Sequence, residues 1–126
     1  MAYNEGTRAF PCATDISKAR LLTLAGTGNV AHASASGKPV GVSLYAVSAG
    51  DTVSVKLINS QGTFEIEAAG AIDLGDPVYA AASGKVQALP ADAGDYQRIG
   101  IAVEAATADG DIIEVLPDDH VTITTV

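Results

Sequence analysis

Two glycine-containing stretches have the residue types that bind phosphate groups. Gly26–Ala31 reads G-x-G-x-x-A, a form of the dinucleotide fingerprint, and follows a plausible strand at Leu21–Leu24. A true fingerprint opens a helix inside a βαβ unit, whereas the residues that follow here, HASASGKP, break a helix. The Gly-Lys pairs at 37–38 and 84–85 lack the earlier glycine and the following hydroxyl residue of a phosphate loop. We therefore expect a glycine-rich hairpin and no nucleotide site.

The residues that could bind a metal or act as a nucleophile are few and scattered. His32 lies in an apparent strand, and His120 follows Asp118-Asp119. Two distant histidines without a cysteine partner do not form a metal-binding pattern, and no Ser/His/Asp or paired-carboxylate arrangement stands out. Cys12 is the only cysteine, and nothing near it in sequence would activate a thiolate, so we expect it to pack. We predict no catalytic residue, no metal and no cofactor.

The charge balance excludes some classes of partner. Acidic residues outnumber basic ones by 15 to 7, and the net charge is −8 at neutral pH, so a phosphate backbone would be repelled. No apolar run approaches the ~20 residues that cross a bilayer, and the opening MAYNEGTRAFP lacks the apolar segment of a signal peptide. A single cysteine allows no intrachain disulfide, which fits a reducing cytosol. We expect no nucleic-acid or membrane partner and synthesis in the cytoplasm.

The elements that must carry these residues are predicted to be strands. Thr52–Leu57 and Thr63–Ala68 alternate polar and apolar residues with period two, which is typical of half-buried antiparallel sheet. The turn Asn59–Gly62 between them predicts that the two segments form a hairpin. No stretch has a sustained helical period, and Thr14–Leu22 is the one place where a short helix could start. The sequence therefore predicts an all-β fold.

An internal repeat organises the chain. Residues 41–55, which read GVSLYAVSAGDTVSV, align with residues 100–115, GIAVEAATADGDIIEV, when Asp109 alone is skipped. An Ala-Ser-Gly-Lys turn lies upstream of each copy, at 35–38 and 82–85, and the Gly-Asp pairs are suited to turns. We predict one small β-barrel or sandwich built from a duplicated β-meander over residues 14–126, preceded by an N-terminal arm at 1–13.

Three segments together resemble a known family. They are the opening Met1–Pro11, the run Ala69–Val86 (AGAIDLGDPVYAAASGKV) and the run Arg98–Val115 (RIGIAVEAATADGDIIEV). They resemble the small phage and prophage head proteins of the capsid decoration, or cement, type. The likeness covers nearly the whole chain and rests on the order of turn-and-strand patterns. Members have at times carried a recombinase label, which this sequence does not support because it has no Walker A loop.

The resemblance implies a structural function and no enzymatic one. It implies a β-barrel-like domain that binds the outer surface of the assembled capsid and stabilises it. The partners would be the major capsid protein and further copies of the chain, usually as homotrimers at threefold or quasi-threefold positions. The protein would be made in the bacterial host cytoplasm and reside on the outer capsid surface of the virion.

The N-terminal arm is the segment that we expect to make these contacts. Ala2–Pro11 precedes every strand signal, yet it carries a large share of the few aromatic and basic side chains. Pro11 disfavours helical geometry at the preceding residue, so the arm should be extended and could add to a sheet edge of another subunit. The alternative is that it folds back as an edge strand of its own domain. The predicted interface residues are Tyr3, Asn4, Glu5, Arg8, Phe10 and Pro11.

A second hypothesis is a biotinyl- or lipoyl-like carrier, or another small-ligand-binding β domain. The run Ile72–Val78 (IDLGDPV) resembles the Gly-Asp-x-Val hairpin entry of carrier domains, which are also duplicated β-hairpin sandwiches. A carrier displays its modified lysine at a hairpin tip beside Met or Ala. Lys85 lies in Ser-Gly-Lys-Val instead, which disfavours this hypothesis.

Overall fold

Strands make up nearly all the regular structure. The computed structural model describes residues 6–26, 28–60 and 62–126, without the side chains of 119–122, and its described part contains one 3-10 turn at Ala82–Gly84 and no α-helix. The all-β prediction is therefore confirmed. The described residues form ten strands: β1 (Thr7–Pro11), β2 (Leu21–Ala25), β3 (Asn29–His32), β4 (Gly41–Ser43), β5 (Thr52–Leu57), β6 (Phe64–Glu67), β7 (Pro77–Ala80), β8 (Val86–Gln87), β9 (Asp95–Ala102) and β10 (Ile112–Thr125).

The strands form two antiparallel sheets with the same topology. The first sheet has the order β1-β5-β4-β2-β3, and the second has the order β6-β10-β9-β7-β8. We call β1–β5 the first repeat and β6–β10 the second repeat. The paired residues also correspond: Gly41 lies opposite Leu57 in the first sheet, as Gly100 lies opposite Pro117 in the second. The predicted repeat of 41–55 and 100–115 therefore forms equivalent strand pairs.

The duplication extends well beyond the segment that the sequence revealed. A bridge between Cys12 and Val30 in the first repeat corresponds to one between Ala68 and Val86 in the second. The backbone N–H of Ala19 donates to the Ser43 carbonyl, and that of Gly75 donates to the Ala102 carbonyl. The segment Thr14–Leu22, where a short helix could have started, is a loop up to Arg20, and its last two residues begin β2; the equivalent loop leads into β7.

Each sheet curls around its own apolar interior. The outermost strands of a sheet touch at one bridge, but neither sheet closes into a barrel, so the architecture is sandwich-like. The interior of the first sheet is one buried cluster, and every member has an equivalent in the larger cluster around the second sheet. The pairs are Phe10 and Ile66, Cys12 and Ala68, Ile16 and Ile72, Leu22 and Val78, Val30 and Val86, Val53 and Ile113, and Val55 and Val115.

The predicted hairpin between residues 52–57 and 63–68 is wrong. β5 belongs to the first sheet and β6 to the second, because both edges of β5 are already paired, with β1 and with β4. The apolar residues of this alternation nevertheless point inward as predicted: Val53, Val55, Phe64 and Ile66 are buried, and Leu57 is half-buried against the first interior cluster. Alternation along a strand specifies its buried face but not its neighbours.

The two Ala-Ser-Gly-Lys turns are not equivalent. Residues 35–38 lie between β3 and β4, whereas residues 82–85 lie between β7 and β8. The second turn therefore corresponds to the β2–β3 connection of the first repeat. The shared tetrapeptide reflects the turn propensity of Ser-Gly in both places and no common position in the fold.

Candidate functional site

The structure places the second half of the predicted arm in the first sheet. Thr7–Pro11 forms edge strand β1, which pairs antiparallel with β5. Phe10 lies opposite Val53 and is only 5% exposed, so it is a core residue of this chain. Residues 7–11 thus adopt the edge-strand alternative that the sequence left open. Tyr3, Asn4 and Glu5 lie outside the described residues.

Strand β1 still presents a surface to a partner. Its neighbour in the first sheet is β5 on one side, and the order of strands within the described residues ends with β1 on the other. The side chains of Arg8, Ala9 and Pro11 are exposed, and the guanidinium of Arg8 lies 4.5 Å from the centre of the Phe10 ring. An edge strand of this kind can take an added strand through its backbone groups. Because Phe10 is anchored in the core, this edge has a fixed position.

A charged cluster joins the two repeats. Glu67 Oε2 lies 3.1 Å from Nη2 of Arg20 and 3.0 Å from Nζ of Lys85, and Lys85 lies 2.7 Å from Oδ1 of Asp109. Nη1 of Arg20 also donates to the carbonyl of Ser83 at 3.0 Å. The hydrogen bonds from Lys85 to Asp109 and then to Glu67 raise the pKa of Lys85. The cluster fixes how the repeats meet.

The same contacts bear on the carrier hypothesis. A carrier lysine must swing freely between active sites, so its amino group should project from a hairpin tip. The Lys85 side chain is 21% exposed, and two carboxylates hold its amino group. This arrangement does not favour a carrier.

Two of the residues considered for chemistry, His32 and Cys12, have structural partners, and the side chain of His120 lies outside the described residues. His32 Nε2 accepts a hydrogen bond from the backbone N–H of Ser17 at 3.1 Å, and burial, followed by the charge of Arg20, lowers the pKa of His32. The buried Cys12 thiol donates to the carbonyl of Asp51 at 3.3 Å. Among the described residues, no group of three or more His, Cys, Asp or Glu could hold a metal ion. Their geometry indicates packing and turn formation.

The Gly-Asp turns have the predicted geometry. Gly50, Gly75 and Gly110 all have positive φ, which L side chains rarely adopt. In the last of these turns, Oδ2 of Asp111 accepts hydrogen bonds from the N–H of Thr107 at 2.8 Å and from its hydroxyl at 2.9 Å. These bonds lower the pKa of Asp111, with the backbone bond contributing most. The interpretation of the Gly-Asp pairs as turn formers is confirmed.

An exposed apolar surface, which was not predicted from the sequence, lies on the second sheet. We call the side of each sheet that points away from its own interior the outer face. On the second sheet this face carries Pro77, Ile101 and Leu116, which lie in register on β7, β9 and β10. Leu116 is 44% exposed, and Ile112 on the same strand is 45% exposed. The available signal was the sequence Ile112-Ile-Glu-Val-Leu116, which is apolar at both parities, unlike TVSVKL in β5.

Comparison with known proteins identifies the family. A family model described as phage cement protein matches residues 6–117. The chain belongs to the phage cement protein family. The match spans both repeats and ends within β10, so it covers the edge strand, the charged cluster and the apolar outer face. This cement-family chain is a structural protein of the phage head and is associated with the capsid.

A solved structure shares the fold. The structure titled head fiber gp8.5 N base in bacteriophage phi29 matches this cement-family chain with a TM-score of 0.73 and 19% identity, covering 90% of this chain and 93% of that one. At this identity, the likeness shows a common fold. The comparison with curated proteins returned no match. No helix in the described part is long and apolar enough to span a membrane.

Proposed function

We propose that this protein binds the outer surface of the assembled phage head and stabilises it, acting as a homotrimer at threefold or quasi-threefold positions. The observation that carries the proposal is the cement-protein match over residues 6–117, which includes both repeats. The major capsid protein is the principal partner. We propose no catalytic function, synthesis in the host cytoplasm, and a final position on the outside of the virion.

The physical basis of stabilisation is linkage. A protein that binds the assembled lattice and not the free capsid subunits shifts the equilibrium toward assembly by RT ln(1 + [L]/Kd). A preformed surface favours such binding, because little conformational entropy is lost on contact. The curled sheets supply such a surface, since residues of both repeats form one continuous buried cluster and the charged cluster joins the repeats.

The N-terminal residues remain the proposed interface, and those of them that lie in β1 differ in exposure. Phe10 anchors β1 in the core of the first sheet, while Arg8 and Pro11 are exposed beside it. Tyr3, Asn4 and Glu5 directly precede this strand in sequence. We propose that these three residues and Arg8 contact the major capsid protein, and that Pro11 contacts a neighbouring copy of the chain.

The test is a binding experiment on heads of the encoding phage that were assembled without this protein. Purified protein is added, and binding is measured by co-sedimentation and by electron microscopy of the particles. The wild-type protein should saturate the outer surface and raise the temperature at which heads release their DNA. Failure to bind intact heads would contradict the proposal.

Two truncations separate the contact from the fold. Deletion of Met1–Glu5 leaves β1 in place, so it should weaken head binding without lowering the melting temperature of the free protein. Deletion of Met1–Pro11 removes Phe10 and uncovers the paired strand β5, so it should lower the melting temperature as well. Undiminished binding by the shorter truncation would exclude a contact through residues 1–5.

A further inference from the structure

The second repeat covers the outer face of the first sheet. Leu21, Val42 and Lys56 lie in register across β2, β4 and β5 on this face. Leu21 is 0% exposed and Val42 is 1% exposed, and both belong to the buried cluster that contains the second sheet. The N–H of Glu67 in β6 donates to the Ala19 carbonyl, and that of Gly84 donates to the Ala33 carbonyl. The edge of the second repeat thus packs on the outer face of the first sheet.

Among the described residues, the equivalent face of the second sheet has no such cover. Pro77, Ile101 and Leu116 occupy the positions of Leu21, Val42 and Lys56, because the strand registers correspond. Pro77 is exposed, Ile101 is half-buried and Leu116 is 44% exposed. Contiguous exposed apolar side chains mark a binding surface more often than chance.

The side chains around the internal junction indicate what covers this face. A groove of 290 Å³ between the repeats is lined by Lys18 and Lys56 from the first repeat and by Glu65 from the second. The equivalents of these lysines in the second repeat are Leu74 and Leu116, which are 68% and 44% exposed. The equivalent of Glu65 in the first repeat is Ala9 of β1, which is also exposed.

The differences between the repeats are matched: both surfaces of the internal junction carry charged residues, and both equivalent surfaces carry apolar residues at the same positions. Where two lysines and a glutamate line the internal groove, the equivalent surfaces offer two leucines and an alanine. A lone substitution of lysine by leucine would leave apolar area in water at a cost. Leucine against alanine removes that cost only if the two surfaces meet. Within one chain, β1 lies in the first sheet and packs beside β5, so the surfaces can meet only between chains.

We propose that copies of this protein associate head to tail, with edge strand β1 of one copy seated on the outer face of the second sheet of the next. Ala9 of the first copy then lies against Leu74 and Leu116 of the second, at the positions where Glu65, Lys18 and Lys56 line the groove within a chain. One internal bond is not reproduced: Pro11 occupies the position of Glu67 and has no N–H to donate. The copy-to-copy contact therefore has one backbone hydrogen bond fewer than the internal one.

This arrangement specifies how the copies in the proposed function meet, and it rests on that function for its place on the head. The contact joins two different surfaces, so each copy retains one free β1 and one free outer face until a ring closes. An isologous dimer would instead bury the same surface on both partners. The two arrangements are therefore distinguishable by mixing two differently marked chains.

The first test is disulfide trapping between different chains. Both chains carry C12A, which removes the native thiol and introduces the residue type found at the equivalent position, Ala68. One chain also carries A9C, and the other carries L116C. Oxidation of the mixture, in concentrated solution and on heads, should give a heterodimer that neither chain forms alone. A control chain carries T52C, on the outer face of the first sheet, and should not cross-link to A9C. Equal cross-linking by T52C, or none by L116C in either setting, would overturn the proposal.

The second test introduces lysine and glutamate, the residue types of Lys56 and Glu65, at the equivalent positions of the proposed intermolecular contact. L116K should weaken self-association about tenfold or more, because a leucine that the contact between copies would bury is replaced by a charged side chain. Adding A9E to the same chain should recover much of the loss. Both positions are exposed, and lysine and glutamate are the residues of the other repeat, so the melting temperature should not change. Self-association of L116K equal to that of the wild type would overturn the inference. Loss of head binding by the wild-type protein would instead overturn the proposed function.

Discussion

Substituting Gly100 by alanine should destabilise the protein strongly, because the strand beside it leaves no room for a side chain. A Cβ atom at Gly100 would lie 2.1 Å from the carbonyl oxygen of Leu116 and 2.9 Å from its carbonyl carbon. Side-chain contacts of this length are essentially absent from folded proteins, so β9 and β10 would have to separate by about 1 Å. Overpacking that moves side chains typically costs about 1–3 kcal/mol. Since backbone atoms must move here, we expect about 3 kcal/mol.

The assay is urea unfolding of the free protein, followed by circular dichroism, together with thermal melts. A loss of about 3 kcal/mol corresponds to a fall in melting temperature of roughly 10 °C for a domain of this size. Gly41→Ala should cost about the same, because a Cβ there would lie 2.2 Å from the Lys56 carbonyl oxygen at the equivalent position. Gly70 is the matched control: it has open space within 4 Å, and alanine should change stability by less than about 1 kcal/mol. A Gly100→Ala protein as stable as Gly70→Ala would refute the close-approach reasoning.

Three further substitutions test the junction and the turns. Glu67→Gln should cost about 2 kcal/mol in urea unfolding, because its ion pairs are largely buried, whereas Glu65→Gln at an exposed position should cost little. The pKa of Asp111 is lower in the folded protein, so its carboxylate stabilises the fold at neutral pH, and this stabilisation is lost as the pH falls below 3.8 toward the pKa in the folded protein. The melting temperature of Asp111→Asn should therefore be lower than that of the wild type at neutral pH, and the two should converge in acid. The lowered pKa of His32 means that the wild type loses stability as pH falls below 6.5, a step in the pH–stability curve that His32→Gln should lack.

The fold class was predictable because its signals are local. Period-two alternation identified β5 and β6, and the Gly-Asp pairs identified turns whose glycines have positive φ. The repeat at 41–55 and 100–115 was visible because both copies keep the glycine that a neighbouring strand requires and the Gly-Asp turn. The other half of the duplication was hidden, since Ala19 holds the positive φ that Gly75 holds in its counterpart. A difference of that kind removes the sequence signal without changing the backbone.

Strand pairing and surface contacts were less accessible, because they depend on distant residues. The hairpin prediction failed since β1, which is far away in sequence, occupies the edge of β5 that β6 would have needed. Residues 7–11 of the arm are extended as expected, yet their partner is the first sheet of the same chain, where Phe10 fills the interior beside Val53. The exposed outer face of the second sheet could be recognised only after the strands were placed side by side. Its apolar run within β10 otherwise reads as an ordinary buried strand.

The two repeats differ most where they face outward. Six of the seven equivalent pairs of the interiors keep an aliphatic or aromatic side chain, and the seventh exchanges Cys12 for Ala68. Three of the six are identical in both repeats: Ile16 and Ile72, Val30 and Val86, and Val55 and Val115. The outer faces instead exchange charge for apolar area, as Lys56 becomes Leu116. Core packing constrains volume and polarity in both repeats alike, so it cannot explain a difference between equivalent surface positions. A difference in what each surface contacts can explain it, because the first outer face meets a repeat of its own chain, while the second has no such cover among the described residues. The contrast between Lys56 and Leu116 thus lies where we propose that one copy meets the next.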